Sequence, residues 1–354
     1  MDHIRIIRRA FDITRVYRAL WLFGVLVALT TTRGGDPNPE YRFDQSDFDW
    51  QNGWPREWPE IPFPYIPSDV INTIIGVGIA LLCIVLLIGV AFAILRYVSN
   101  TALVRMVSGY EASGERVSVR EGFRLGWTRA SFRNWLIDLF FTVIGFLIVL
   151  VTLALVAAPL LLWTTGSDAA GAVGTVMTIG LFILFILTMI LAAAVLSIVL
   201  ELAYRSVILE GRGVFDGIRR GWELFRRRLG DVILMGLILF GISLVFTLLM
   251  IPVVILLLLA GGVVGGIPAL LAGGITSLFT EGATPAVVGV LIGLPILLAV
   301  LSVPLLIIGG LFETFKSSVW TLTFRELLAL ESVQPPAAPA APVAAPPETP
   351  QLNE

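Results

Sequence analysis

The chain has 354 residues, 57% of them hydrophobic and 14% charged, with a mean hydropathy of +0.91 and a formal net charge of −2. A soluble globular domain is roughly half apolar and a quarter charged, so this composition excludes one and indicates an integral membrane protein. No nucleic-acid partner is expected, and one cysteine with one histidine excludes an internal disulfide framework and a Cys/His zinc cluster.

The first element is a basic segment carrying Arg5, Arg8, Arg9, Arg15 and Arg18, which runs into a short apolar stretch at about 17–30. A basic front and an apolar core also describe a signal peptide. The polar residues that precede the stretch, and the lack of a small-x-small site after it, favour a retained span. The following segment, 31–69, is an acidic outer loop with Asp36, Glu40, Asp44, Asp47, Asp49, Glu57, Glu60 and Asp69, interleaved with Trp, Tyr, Phe and Pro. Asp44, Asp47 and Asp49 lack the turn glycine and the bidentate glutamate of a calcium loop, so no metal is expected there.

A second span at about 71–98 holds Cys83, expected as a small buried apolar residue. It exits through Val104-Arg105 into VREGFRLGWTRASFR at Val119, which leads to spans at about 135–163 and 172–203. The chain exits again at Tyr204-Arg205 and enters VFDGIRRGWELFRRR at Val214, followed by spans at about 232–259 and 286–313 and a last exit at Phe324-Arg325. Between the last two spans lies AGGVVGGIPALLAGGITSLFTEGATP, read as an outer loop with a short interfacial helix in preference to a re-entrant element. The Pro/Ala-rich tail, 331–354, has too little to bury and is expected to be a disordered cytoplasmic extension.

The phrases at Val119 and Val214 are two copies of one unit. Gly122 aligns with Gly217, Arg124 with Arg219, Gly126-Trp127 with Gly221-Trp222 and Arg133 with Arg228, and Ile7-Arg8-Arg9-Ala10-Phe11 is a worn third copy. Val214, Ile218, Trp222, Phe225 and Leu229 recur at helical three- and four-residue steps with the arginines largely off that face. Such helices are expected in the headgroup plane, apolar side down. Arginine is concentrated in the segments before the odd spans, which puts both termini and all three phrases in the cytoplasm by the positive-inside rule.

The expected fold is therefore an all-α integral membrane protein. Six transmembrane helices form three parallel helical-hairpin repeats over 1–330 (about 1–110, 111–210 and 211–330), each preceded by a cytoplasmic amphipathic helix. The expected location is the plasma membrane of a bacterium, since a single lysine among 24 basic residues suggests a GC-rich genome.

Ionisable groups in hydrocarbon are costly and therefore informative. Arg96, Asp138, Glu201, Asp231 and Glu313 all lie near span ends. Glu201 and Arg205, four apart on one helix, are expected to pair, and ion pairs that fix the bundle are the favoured reading over a proton or substrate relay through Glu201 and Glu313. No nucleophile elbow, phosphate-cradling loop or metal-ligand spacing occurs, so neither an enzyme nor a cofactor is expected. The basic helices carry the most specific signal, with Arg8, Arg124, Arg133, Arg219, Arg220, Arg226 and Arg228 as candidates for lipid headgroups and Trp127 and Trp222 as interfacial anchors.

The segments RRAFDITRVYRALWLFG (8–24), GERVSVREGFRLGWTR (114–129) and VILEGRGVFDGIRRGWELFRRRLG (207–230) resemble the membrane domain of membrane-bound glycerophosphodiester phosphodiesterases, over most of residues 1–330. In those proteins the chemistry resides in a separate soluble barrel, which this sequence lacks, so the resemblance implies no activity and transfers no catalytic residue. The expected function is to organise or sense anionic membrane lipid. A transporter or flippase for a lipid or small amphiphile is the alternative, with homo-oligomer formation and protein partners left open.

Overall fold

The computed structural model describes residues 1–30 and 68–333, and every regular element among them is helical. In chain order these are α1 (His3–Val16), α2 (Ala19–Thr30), α3 (Ser68–Ser113), α4 (Val119–Gly126), α5 (Arg129–Ala157) with a 3-10 extension (Ala158–Thr165), α6 (Asp168–Leu209), α7 (Val214–Arg227), α8 (Leu229–Thr276) and α9 (Thr284–Val333). The acidic segment and most of the Pro/Ala-rich tail lie outside the described residues.

Five helices, α3, α5 with its extension, α6, α8 and α9, are long and apolar enough to cross a membrane, which makes this a multi-pass membrane protein. The first apolar stretch differs from them. At 1.5 Å per residue the 12 residues of α2 reach only about 18 Å, short of the ~30 Å hydrocarbon core. It meets α1 at a bend of 101° centred on Tyr17 and Arg18. Buried Tyr17 fixes that bend: its hydroxyl donates to the Val117 carbonyl at 2.8 Å and accepts from the Val117 N–H at 2.6 Å.

The helices meet in a buried hub at one end of the molecule. Ile6, Ala10 and Ile13 of α1, Phe23 of α2, Leu103 and Met106 of α3, Leu202 of α6, Leu224 of α7, Met235 of α8 and Phe324 of α9 share one apolar cluster. Away from the hub α3 leaves its neighbours, while α8 and α9 stay packed together. Every residue from Ile75 to Phe92 on α3 is exposed, a surface that only lipid hydrocarbon can cover without cost. Cys83 lies in this stretch, exposed rather than buried as the sequence suggested, because this part of α3 has no helical neighbour to bury it.

Glycine permits close approach at two seams. In α4 and α7 it allows a short basic helix to lie on the end of the preceding long one. A Cβ on Gly221 of α7 would stand 2.8 Å from the Ala203 nitrogen and 2.9 Å from the Val199 carbonyl of α6, and one on Gly126 of α4 would strike the Val98 carbonyl of α3. The glycine faces of α4 and α7 are thus turned onto protein, which revises the expectation that these helices lie flat with the apolar side in lipid.

The second seam overturns the expected outer loop. The glycine-rich stretch continues α8 as helix to Thr276 and packs on α9, with Gly265 against the Gly293 carbonyl, Gly289 against the Ala269 carbonyl and Gly273 against the Pro285 carbonyl. The first glycine of each pair (Gly261, Gly265, Gly273) faces α9 while the second (Gly262, Gly266, Gly274) meets nothing. Small residues at four-residue spacing are how membrane helices approach closely, so here they act as a packing face and not as breakers.

Candidate functional site

Two places bring polar side chains together: the rim of the hub, and a seam where α3, α5 and α6 meet. At the rim, α4 begins at Ser118, whose side chain caps the Glu121 N–H, and ends at Trp127, 70% exposed. α7 carries Trp222, 48% exposed, and α1 presents Phe11, 58% exposed. These aromatic rings point away from the hub because the small residues beside them, Ala10, Gly126 and Gly221, occupy the packed side of each helix.

The sequence-predicted arginines fall into two groups. Arg220 is held inside the hub by Glu331 of α9, with Glu210 at 3.6 Å, and Arg227 reaches the same Glu331 at 3.3 Å. Burial pulls the Arg220 guanidinium down, but the facing carboxylates outweigh it and leave it above its ordinary value. Arg133 donates to the Gly211 and Arg212 carbonyls at 2.8 and 2.9 Å, tying α5 to the turn before α7. Arg228 lies 3.9 Å from Asp231, which His3 and the N-terminal amine also face. Arg133, Arg220, Arg227 and Arg228 are framework. Arg124 and Arg219 pair only with Glu121 and Glu223 of their own helices and remain 81% exposed. Arg8 and Arg226 are exposed with no ion pair among the described residues, as are Arg15 and Arg129, which the repeat placed near the same rim.

Three further arginines cross between long helices. Arg105 of α3 donates to the Ile208 carbonyl of α6 at 3.5 Å, Arg205 of α6 to the Ser317 carbonyl of α9 at 3.3 Å, and Arg325 of α9 to the Ser108 carbonyl of α3 at 2.6 Å. The contacts run α3 to α6 to α9 and back to α3. Arg205, 2% exposed, also grips the carboxylate and carbonyl of Glu201, and Glu313 pairs with Lys316 at 2.7 Å. Both acidic candidates are thus neutralised on their own helices.

Asp138 is not. Its Oδ2 accepts from the Tyr97 hydroxyl of α3 at 2.6 Å and its Oδ1 from the Tyr204 hydroxyl of α6. Among the described residues it forms no ion pair. One turn earlier on α5 stands Asn134, 1% exposed, with neither amide nitrogen nor amide oxygen hydrogen-bonded. Another turn earlier, Ser131 bonds Thr101 of α3 at 2.9 Å and the Gly126 carbonyl. The sequence reading named Asp138 as an ion-pair candidate and missed Tyr97, Tyr204 and Asn134. A signal was available: the positions three and four away from Asp138 are Asn134, Trp135, Phe141 and Thr142, none of them basic, so no local pair could form.

With this geometry in place, comparison with known proteins gives one family. The chain belongs to the family of unknown function DUF7544. The match covers residues 1–327, nearly all of the described chain. No curated protein and no solved structure matches. The match shows no link to the glycerophosphodiester phosphodiesterases, so that likeness stays at the level of the quoted segments.

Proposed function

We propose that this protein is a non-enzymatic membrane protein that gathers anionic lipid around a basic, cytoplasm-facing rim. Six spans, the first of them the bent α1–α2 pair, form three parallel hairpins, and each hairpin enters the bilayer beside one exposed aromatic residue and one open arginine. The observation that carries this reading is the recurrence of that couple: Phe11 with Arg15, Trp127 with Arg129, and Trp222 with Arg226, every member exposed. Tryptophan prefers the headgroup level, and each arginine near an anionic surface adds about 1 kcal/mol of attraction. The cyclic order of the Arg105, Arg205 and Arg325 contacts supports the three-fold arrangement.

The test is native mass spectrometry of the protein released from nanodiscs of mixed phosphatidylcholine and phosphatidylglycerol. The double variant Arg129→Glu with Arg226→Glu should retain fewer phosphatidylglycerol adducts than wild type at an unchanged melting temperature. Equal adduct numbers would remove the basis of the proposal.

One observation favours a second reading, a lipid or amphiphile transporter. Outside the hub α3 stands exposed, and the carboxylate Asp138, with no ion pair among the described residues, lies where α3, α5 and α6 come together. Movement of a fluorescent lipid between leaflets of reconstituted vesicles, lost in Glu201→Gln or Asp138→Asn, would support it over the first.

A further inference from the structure

Asn134 is the clearest unexplained feature of the seam. A buried amide with no partner for either end costs on the order of 1–3 kcal/mol per unmet group, and membrane surroundings offer no relief. It lies on the face of α5 that meets α3, between Ser131, bonded to Thr101, and Asp138, bonded to Tyr97. The amide thus faces α3 between two hydroxyl groups one helical turn apart. A bare cation would satisfy only its oxygen. Water satisfies both ends, since it accepts from Nδ2 and donates to Oδ1, and an ordered water needs two to four polar partners of this kind.

Next to this unpartnered amide is a carboxylate with no counter-ion among the described residues. Tyr97 of α3 and Tyr204 of α6 donate to Asp138, and the charged groups that act on those two phenols besides it are Arg96 of α3 and Glu201 of α6. Arg96 sits 5.6 Å over the Tyr97 ring and not on the carboxylate, and Glu201 is occupied by Arg205. From α7 comes only an aromatic contact, Phe215 against Phe140. Asp138 is also shallow, five residues or about 7 Å beyond Arg133 along α5, within reach of protons from the basic side.

We propose that the α3–α5–α6 seam is a hydrated proton-binding site in which Asp138 takes the proton and Asn134 holds the linking water. The step balances without any other reactant. A proton from the water passes to Oδ2, forming the O–H bond of a neutral carboxylic acid, and the water regains a proton from the aqueous side. The new O–H then donates to the Tyr97 oxygen, so the Tyr97 hydroxyl turns from its carboxylate to the water. Tyr204 continues to donate to Oδ1. Protonation therefore exchanges one donated bond for one accepted bond at the contact that joins α5 to α3, and makes the closure of that seam sensitive to pH. The site does not depend on the lipid reading of the rim.

The experiment is infrared difference spectroscopy of the full chain in nanodiscs between neutral and acidic pH. Wild type should gain a protonated-carboxyl stretch that Asp138→Asn lacks. Tyr97→Phe, which keeps the carboxylate and removes a donor to its ionised form, should raise the midpoint of that band by about one pH unit. Asn134→Leu, which displaces the water, should move the band to the frequency of a dry carboxyl. The proposal is overturned by an acid-induced band that survives Asp138→Asn, by a midpoint indifferent to Tyr97→Phe, or by a spectrum that responds at fixed pH to sodium and not to protons.

Discussion

Replacing Gly221 by alanine tests the glycine seam with a single methyl group. The added Cβ would stand 2.8 Å from the Ala203 nitrogen, 2.9 Å from the Val199 oxygen and 3.0 Å from the Ala203 Cα. All three are backbone atoms of α6, so no rotamer change can make room, and α7 must lift by roughly half an ångström to restore ordinary van der Waals separation. Overpacking of this kind costs about 1–3 kcal/mol. Alanine's helix preference returns up to about 1 kcal/mol, so the expected net loss is about 1–2 kcal/mol. At roughly 2–4 °C per kcal/mol for 150–250 residues, and less for a longer chain, thermal unfolding in detergent should fall by a few degrees at most. Gly126→Ala should fall further, since its Cβ would press more closely on the Val98 carbonyl. Gly109→Ala is the control: its Cβ meets nothing on the exposed end of α3, so only the propensity gain applies and the melting temperature should hold or rise. If Gly221→Ala behaves like Gly109→Ala, the basic helices are not seated on the long ones and the hub is wrongly drawn.

Three further outcomes follow from named contacts. Tyr17→Phe leaves the Val117 N–H and carbonyl without the phenol that satisfied both, so stability should drop by about 1–3 kcal/mol and limited proteolysis near Glu115 should quicken. Glu331→Gln removes the charge shared by Arg220 and Arg227; because the cluster is partly exposed, the loss should be about 1–2 kcal/mol, and smaller at high salt. Gly293→Leu places a side chain against Ala269 and the Gly265 carbonyl, and should lower thermal stability by several degrees where Gly262→Leu, on the open side of α8, does not.

Much of the hub was legible because its signal is repetition. The Gly-Trp phrase at Val119 and Val214 marks α4 and α7, and its glycines lie where these helices approach α3 and α6 most closely. The phrase did not reveal which side of the helix meets lipid. An apolar face reads the same whether it rests on acyl chains or on α6, and only the four-residue spacing of Gly217 and Gly221 pointed to the latter. The AGGVVGG stretch misled for a related reason. Glycine and proline break helices in water, where exposed backbone finds other partners, but in apolar surroundings the helix is the state that satisfies the backbone, and Pro252 and Pro268 are carried within α8. The Asp138 cluster depends on residues 41 and 66 positions away, a separation no local pattern encodes. Glu201 with Arg205 needed only four residues and was read correctly.

The lipid rim and the proton site both require that the hub face the cytoplasm and the α5–α6 turn face outward. In a Cys83→Ala background, single cysteines at Ser113, just after α3, and at Ser167, before α6, report this directly with a membrane-impermeant maleimide on intact cells. Ser167→Cys should be labelled from outside, and Ser113→Cys only after the membrane is opened. Labelling of Ser113→Cys in intact cells would contradict the account, because it would place every basic rim residue on the wrong side of the membrane.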